Sequence, residues 1–406
     1  MQVEILRLDH NGRGIGKIDG KTVFVPNALP GEIVTLKNIV DKKRYMEAEV
    51  EEYLQTSSKR VKPICPYFGI CGGCDLMHLS HQDQLHYKQD KVRDMMERYA
   101  KIDTNIIKPI VSCNELEYRN KVTFHVREKC GFFAKKSYEV VPIDHCFLMD
   151  EEMNSVFELI KKEIPLEVIS TFVLRHSIRR GEMMVIFTLK ESKDLLPYVE
   201  ELKKQVTSIY AYYDGQYYLL YGNKYMSEQL QDFVFDVSPS AFFQVNTVVA
   251  EKMYEQARKY LNPSQEDILL DLYCGTGTIG LTMSLYVSRV IGVEVNESAV
   301  QDANRNKERN GISNAIFYHA KVSDVIEDLD GALVVVDPPR AGLDTKTIQE
   351  LKKIKPKRMT YISCDPMTLA RDLKLLASDF EVVEITPFDM FPETDDVENV
   401  VLLKRK

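Results

Sequence analysis

The sequence predicts an α/β protein whose C-terminal part is a doubly wound parallel sheet, preceded by a small β-barrel and a mixed α+β region. Three observations support this fold class. From residue 240 onward, short apolar runs alternate with helical patterns, which is typical of parallel strands covered on both faces. Residues 1–54 alternate apolar and polar positions between glycines and prolines, as the short strands of a barrel do. The length of 406 residues also exceeds that of one ordinary domain.

Composition and charge indicate an ordinary globular protein. Apolar residues make up 44% of the chain and charged residues 28%. We find no apolar run long enough to span a bilayer and no signal-peptide core in the first twenty residues, so we expect a cytoplasmic protein without membrane contact. The formal net charge of −8 excludes a polyanion binder that relies on bulk charge, and leaves nucleic-acid binding to local basic clusters.

The change in pattern along the chain predicts three domains. Residues 1–54 form the barrel, residues 55–239 the mixed central region, and residues 240–406 a Rossmann-like domain. A helical pattern over residues 81–100 could pack on that last domain. Within the Rossmann-like domain, a helix over residues 248–260 precedes the predicted strands, which are residues 268–272, 290–293, 332–336 and 359–363.

A glycine-rich loop follows the first of these strands. Residues 275–280 read Gly-Thr-Gly-Thr-Ile-Gly, and Glu294 lies at the end of the next strand, which a nicotinamide dehydrogenase would also show. Asp271 in the leading strand instead gives the pattern Asp-Leu-Tyr-Cys-Gly-Thr-Gly of S-adenosylmethionine enzymes. That methyl donor has no pyrophosphate, so Gly275 and Gly277 would serve close backbone approach, and Glu294 would accept hydrogen bonds from ribose hydroxyls. The sequence therefore favours a methyltransferase.

A cysteine, Cys364, stands where the fourth predicted strand ends, at the edge that lines the ligand crevice of such sheets. It is either a small buried hydrophobe or a nucleophile that reacts as the thiolate. Methylation at uracil C5 needs such a thiolate, because its addition at C6 gives C5 the electron density to attack a methyl group. A base must then remove the C5 proton, and residues 388–398 place several acids before the final apolar run.

Five ordered motifs resemble the RNA uracil-C5 methyltransferase family, which includes the bacterial 23S rRNA enzymes and the tRNA T-loop enzyme. The motifs are residues 240–246, 271–277, 337–342, 363–366 and 390–398. The resemblance implies S-adenosylmethionine as the methyl donor, Cys364 as the nucleophile and Glu398 as the base. It also implies that the donor and target sites are lined by Gln244, Tyr273, Glu294 and Asp337. The chain departs from the family at Glu393 and Asp396, where histidine is usual.

Three of the eight cysteines, Cys65, Cys71 and Cys74, stand in one glycine-rich loop that can aim several sulfurs inward. Cys146 is the best candidate for a fourth ligand, and the weaker alternatives are Cys113 and Cys130. Zinc and an iron–sulfur cluster both take four thiolates, so the residues alone do not choose between them. The rRNA branch of the family carries a 4Fe–4S cluster with this spacing, and the resemblance therefore implies that cluster, in a structural or a redox-sensing role.

The N-terminal residues 11–16 and 24–32 resemble the TRAM domain, an OB-like barrel of RNA-modifying enzymes, although a purely structural barrel is an alternative. The resemblance implies RNA as the partner. Barrel and cysteine cluster favour 23S rRNA over tRNA, because the minimal bacterial tRNA enzymes lack both, whereas some archaeal tRNA enzymes keep both. RNA cytosine methyltransferases typically carry a second cysteine where this chain has Arg340. A non-catalytic RNA chaperone is disfavoured by the intact Cys364 and Glu398. We expect a monomer.

Overall fold

The computed structural model describes residues 1–324 and 331–406, and its N-terminal strands close into a barrel. The strands lie in the order β1-β2-β3-β5-β4, with the bounds β1 Gln2–Leu8, β2 Gly14–Ile18, β3 Lys21–Val25, β4 Ile33–Asp41 and β5 Tyr45–Gln55. A Cβ atom on Gly16 would lie 2.5 Å from Val3 Cγ2 and 2.7 Å from the Glu4 carbonyl oxygen. The glycines of the first segment therefore let two strands of a very small barrel approach each other, and the predicted barrel is confirmed.

The central region forms a second sheet, in the order β12-β11-β10-β9-β6-β7-β8. Its elements are β6 Lys121–Val126, β7 Cys130–Phe133, β8 Val140–Pro142, α2 Glu151–Glu163, β9 Ile169–Ser177, β10 Glu182–Leu189, β11 Ser208–Tyr213 and β12 Gln216–Gly222, with short 3-10 helices at Thr104–Ile106, Leu166–Val168, Leu196–Tyr198 and Leu202–Lys204. Helix α2 packs Phe157 against Phe124 of β6, with ring centroids 4.1 Å apart. The mixed α+β prediction for this region is confirmed, and a hairpin of β13 Met226–Leu230 and β14 Phe233–Val237 follows it.

The C-terminal sheet has the order β17-β16-β15-β18-β19-β21-β20. Its elements are α3 Thr247–Leu261, β15 Ile268–Leu272, α4 Thr278–Met283, a 3-10 helix Ser284–Tyr286, β16 Arg289–Glu294, α5 Glu297–Arg309, β17 Ala315–His319, a 3-10 helix Val322–Asp324, β18 Leu333–Val336, α6 Thr345–Ile354, β19 Arg358–Ser363, α7 Pro366–Leu376, β20 Phe380–Phe388 and β21 Glu398–Arg405. The strand order reverses at β15, so the carboxyl ends of β15 and β18 border the crevice where doubly wound folds bind ligands.

Two features of this sheet go beyond the four strands that the sequence predicts. The strands β17 and β20 extend its two edges, and β21 runs antiparallel to both β19 and β20. The sheet is therefore parallel from β17 to β19 and antiparallel at its other end. This mixed arrangement brings β21 alongside β19, and so places the segment before β21 at the ligand edge.

The helical pattern over residues 81–100 forms α1 His81–Met95, followed by a π-helical turn Met96–Ala100. The Ser80 hydroxyl caps α1 by accepting a hydrogen bond from the Asp83 amide. Val92 and Met96 join a hydrophobic cluster with Leu369 of α7, so this helix packs on the C-terminal sheet and its helices. Within the described residues, no helix is long and apolar enough to cross a membrane. The domain division at residues 54 and 239 stays a prediction.

Candidate active site

Cys364 lies on a short turn between β19 and α7. Asp365, the next residue, caps α7 by accepting hydrogen bonds from the Met367 and Thr368 amides, both at 2.8 Å. The antiparallel ladder between β19 and β21 pairs Ser363 with Asn399. The next residues beyond this last pair are Cys364 and Glu398, the first residue of β21, and the two side chains are near enough to interact electrostatically. The predicted nucleophile and the predicted base are therefore brought together by strand register.

Several charged groups surround the Cys364 thiol. Burial and the Glu398 carboxylate raise the pKa of Cys364 to about 12, while the Arg340 guanidinium lowers it. Burial raises the pKa of Asp337 to about 7, and burial together with Asp337 holds the pKa of Glu398 well above its usual range. Arg340 donates a hydrogen bond to Asp396 at 2.7 Å. A positive charge bound in this crevice would therefore favour the thiolate, and Glu398 in its ionised form is a strong proton acceptor.

The glycine-rich loop connects β15 to α4. Gly275 and Gly277 adopt φ angles of +52° and +79°, which side chains disfavour. A Cβ atom on Gly277 would lie 2.9 Å from the Phe317 ring. Asp271 accepts a hydrogen bond from the Gly280 amide at 2.7 Å and so fixes the start of α4 to β15. The loop geometry thus depends on the glycines and on the aspartate that the sequence motif contains.

A cavity of about 270 Å³ lies beside this loop. Two residues that sequence analysis proposes for the donor site, Tyr273 and Glu294, line it together with Thr347, whose hydroxyl lies 3.2 Å from the Tyr273 hydroxyl. The two carboxylate oxygens of Glu294 accept hydrogen bonds from the Gly275 amide at 3.1 Å and the Asn296 amide at 2.9 Å. A carboxylate held this way at the end of β16 presents its remaining lone pairs to hydroxyl donors in the cavity.

Gln244 lies in the loop that precedes α3. The Asn120 side chain donates to the Gln244 carbonyl oxygen at 2.9 Å, and the Asn120 amide donates to that of Val245 at the same distance. Asn246 caps α3 and donates to the Met390 carbonyl oxygen at 3.3 Å. This loop therefore connects the central sheet to the segment that leads to Glu398.

The predicted cysteine ligands line one cavity of about 420 Å³ in the central region; they are Cys65, Cys71, Cys74 and Cys146. The alternatives lie elsewhere, since Cys130 belongs to the core of the central sheet and Cys113 packs on the core of the C-terminal domain. In the part of the chain that the structure describes, no three histidine, cysteine, aspartate or glutamate side chains are gathered closely enough to hold a metal ion.

Comparison with known proteins connects these features. The TRAM family profile matches residues 1–50, and the tRNA (Uracil-5-)-methyltransferase profile matches residues 215–332 and 320–406. A protein of Caldanaerobacter subterraneus described as an uncharacterized RNA methyltransferase is 36% identical, and the match covers all of this chain and 98% of the relative. The chain belongs to the RNA uracil-C5 methyltransferase family.

Further relatives of this methyltransferase share its whole length. A Staphylococcus epidermidis protein, also described as an uncharacterized RNA methyltransferase, is 35% identical over 99% of this chain and 97% of its own. The solved structure of Pyrococcus abyssi tRNA (uracil-54, C5)-methyltransferase in complex with S-adenosyl-L-homocysteine is 28% identical, with a TM-score of 0.81 over 99% of this chain and 100% of that chain. The barrel, the central sheet and the C-terminal domain are thus one shared architecture.

In this methyltransferase, α1 holds the acidic loop that sequence analysis placed before the final strand. We call residues 389–396 the acidic loop. Lys88 of α1 donates to Asp389 at 2.5 Å and to the Phe391 carbonyl oxygen at 2.9 Å, and the side chains of Lys88 and Asp389 are both fully buried. Sequence reasoning missed Lys88, because a lysine in a polar helix normally faces solvent.

The two acids that replace the usual histidines have different surroundings. Glu393 exchanges hydrogen bonds with Gln84 of α1, and burial raises the pKa of its carboxyl to about 7. Its carbonyl oxygen accepts from the amides of Asp75 and Leu76, next to the cysteine loop, at 2.8 and 2.9 Å. Asp396 instead pairs with Arg340 beside Cys364. One acid therefore ties the acidic loop to the N-terminal half of the chain, and the other lies near the Cys364 thiol.

Proposed function

We propose that this methyltransferase transfers the methyl group of S-adenosylmethionine to C5 of a uridine in 23S rRNA. The observation that carries the chemistry is the pairing of β19 with β21, whose last pair, Ser363 with Asn399, brings Cys364 and Glu398 close together at the carboxyl edge of the sheet. The presence of both a TRAM barrel and the cysteine loop favours rRNA within the family. A tRNA T-loop uridine is the second candidate, because the Pyrococcus abyssi tRNA enzyme matches the chain over its full length.

The methyl donor fits the cavity beside the glycine-rich loop. Glu294 would accept hydrogen bonds from the ribose hydroxyls, and Tyr273 with Gly275 and Gly277 would line the path of the nucleoside and the methionine chain toward Asp337. The donor's sulfonium carries a positive charge. Bound near Asp337, that charge would favour the ionised forms of the Cys364 thiol and the Glu398 carboxyl, whose pKa values are raised in the protein alone.

The reaction then follows from the two residues that the strand register pairs. The Cys364 thiolate adds to C6 of the uracil and forms a carbon–sulfur bond, which leaves electron density at C5. C5 attacks the donor methyl group, and the sulfonium becomes the neutral sulfide of S-adenosylhomocysteine. Glu398 removes the C5 proton, the C5–C6 double bond reforms, and the carbon–sulfur bond breaks to release the thiolate. Gln244 would line the donor and target sites.

The target base must leave its stack before the thiol can reach C6 and the donor methyl group can reach the neighbouring C5. The loop that contains Gln244 carries Phe242, whose side chain is 68% exposed. An exposed aromatic ring in this loop can take up the stacking that the target base loses. The barrel would hold RNA that flanks the base.

Labelled S-adenosylmethionine, incubated with the purified protein and with unmodified 23S rRNA or unmodified tRNA, tests this proposal. After digestion, we expect the label in 5-methyluridine from rRNA only. Label from tRNA only would keep the chemistry and transfer the substrate to the second candidate. Label from neither RNA, with donor binding intact, would contradict the proposed reaction.

We infer that the cysteine cavity holds a 4Fe–4S cluster and not zinc, because the rRNA branch of the family carries such a cluster with this cysteine spacing. A zinc ion holds its sulfurs at about 2.3 Å, in one tight group. A cluster binds each thiolate through a different iron, and four cysteine side chains line one cavity of about 420 Å³. Cys65, Cys71, Cys74 and Cys146 would hold the cluster, which would stiffen the loop that continues into Asp75.

We expect anaerobically purified protein to be brown, with about four irons per chain, and Cys71→Ser to lose the colour. Cys130→Ser is the matched control, because Cys130 lies in the core of the central sheet and not at the cavity. The measurement is iron and zinc analysis together with the visible spectrum. Stoichiometric zinc without iron in the anaerobic sample would rule out the cluster.

A further inference from the structure

The outer strand of the central sheet, β12, carries a row of exposed aromatic side chains. Tyr217 is 41% exposed, Tyr218 47% and Tyr221 37%. The sequence contains no acidic residue between Asp214 and Glu228, although the whole chain has a net charge of −8. A strand that exposes tyrosine rings and has no acidic residues can stack on the bases of a nucleic acid and does not repel its phosphates.

The two faces of β12 differ. The register pairs Tyr217 with Tyr212 of β11, so both rings lie on the same face, with centroids 4.7 Å apart. Tyr212 packs against the core that joins the central sheet to the C-terminal domain. Tyr218 points to the opposite face, because successive side chains of a strand alternate. Tyr217 therefore faces the side of the sheet on which the C-terminal domain lies.

Arg175 connects Tyr217 to the loop before α3. It lies close enough to Tyr217 for the two to interact electrostatically, and its guanidinium donates to the Ala241 carbonyl oxygen. Among the described residues, no carboxylate forms an ion pair with Arg175, and its buried Nε has no hydrogen-bond partner. Phe242 follows Ala241 in the sequence and is the exposed ring two residues before Gln244. Arg175 is itself buried, 3% exposed, and interacts electrostatically with Asp302, so it is an internal link that holds Tyr217 close to the loop carrying Phe242.

We propose that Tyr217, backed by Tyr212, is a stacking site for an unpaired nucleotide that flanks the target uridine. Every base has a face that can stack on a tyrosine ring, and Lys224, two residues after β12, supplies an exposed positive charge for a phosphate of the same strand of RNA. The proposal rests on the proposed function only in requiring RNA as the substrate. A second copy of the chain bound to the free edge of β12 is the competing occupant.

The affinity of the full-length protein for single-stranded oligouridine of about ten nucleotides tests the stacking site. We expect Tyr217→Ala to weaken binding about tenfold and Tyr217→Phe to bind like the wild type, since stacking needs the ring and not the hydroxyl. Tyr218→Ala is the matched control, with an equally exposed tyrosine on the other face of the same strand. Donor binding should be unchanged in all three variants.

An unchanged affinity in Tyr217→Ala would overturn the proposal. So would equal weakening in Tyr217→Ala and Tyr218→Ala, because that result assigns the whole strand edge to the partner and not one face. A wild-type protein that sediments as a dimer, with both alanine variants monomeric, would assign β12 to a second copy. Methylation is not measured in any of these experiments, so failure of the stacking site is separable from failure of the proposed reaction.

Discussion

Cys364→Ala is expected to lower the rate of uridine methylation by at least about a thousandfold, because no other group can supply the thiolate that activates C5. RNA and donor affinity should stay within about threefold of the wild type, since the thiol contributes little to either surface. Transfer of label from S-adenosylmethionine to RNA measures the first quantity, and equilibrium binding measures the second. Methylation that persists in this variant would exclude the covalent mechanism.

Glu398→Gln complements that experiment. The amide cannot accept the C5 proton, so addition and methyl transfer would proceed while elimination stops, and protein covalently attached to RNA would accumulate. Denaturing electrophoresis shows such an adduct directly. The double variant Cys364→Ala/Glu398→Gln should form none, and an adduct in the double variant would identify a nucleophile other than Cys364.

Lys88→Met is expected to cost about 3–5 kcal/mol of stability, because it leaves the Asp389 carboxylate buried without its charged partner. The loss of stability is measured as the difference in the free energy of unfolding in denaturant between Lys88→Met and the wild type. Arg98→Met is a suitable control: Arg98 pairs with Asp94 on the surface just after the same helix, and such exposed pairs contribute about 0.5 kcal/mol or less. Combining Lys88→Met with Asp389→Asn should recover part of the loss, because the unpaired buried charge is gone.

Lys88→Met should also lower the rate of methylation. The acidic loop leads within a few residues to Glu398, so its displacement would move the base away from the target ring, and a misplacement of about 1 Å can cost roughly a hundredfold in rate. We therefore expect kcat to fall while donor affinity is retained, since the donor cavity lies on the other side of β18. A destabilised variant with unchanged kcat would show that other contacts are enough to hold the loop.

The parts of the fold that the sequence predicts are those whose signal is local. The strand before the glycine-rich loop and the strand before Cys364 are continuous apolar runs. By contrast, β20 was missed because charged residues such as Glu381 and Glu384 interrupt its apolar pattern, and because its partner β21 is distant in the sequence. Edge strands are half-exposed, so their sequences resemble those of loops.

The candidate site divides in the same way. Cys364 and Glu398 could be proposed because motifs mark them, and register then places them together. Lys88 could not, because a buried lysine is stabilised only by a partner that sequence pattern does not identify. Cys146 is an intermediate case: the cysteine loop predicts a fourth ligand from elsewhere in the chain, but only the fold shows that Cys146 lines the same cavity while Cys130 does not.

The contact between α1 and the acidic loop also sets the order in which the parts of the protein can fold during synthesis. Lys88 and Asp389 are separated by 301 residues, which a ribosome needs roughly 15 to 60 s to translate at ordinary rates. Throughout that interval the barrel and the central sheet can fold, while the polar face of α1 stays hydrated. A nascent chain interrupted before residue 389 would therefore expose an incompletely packed α1 to proteases and chaperones. Truncated fragments that bind RNA but cannot methylate it would thus be short-lived.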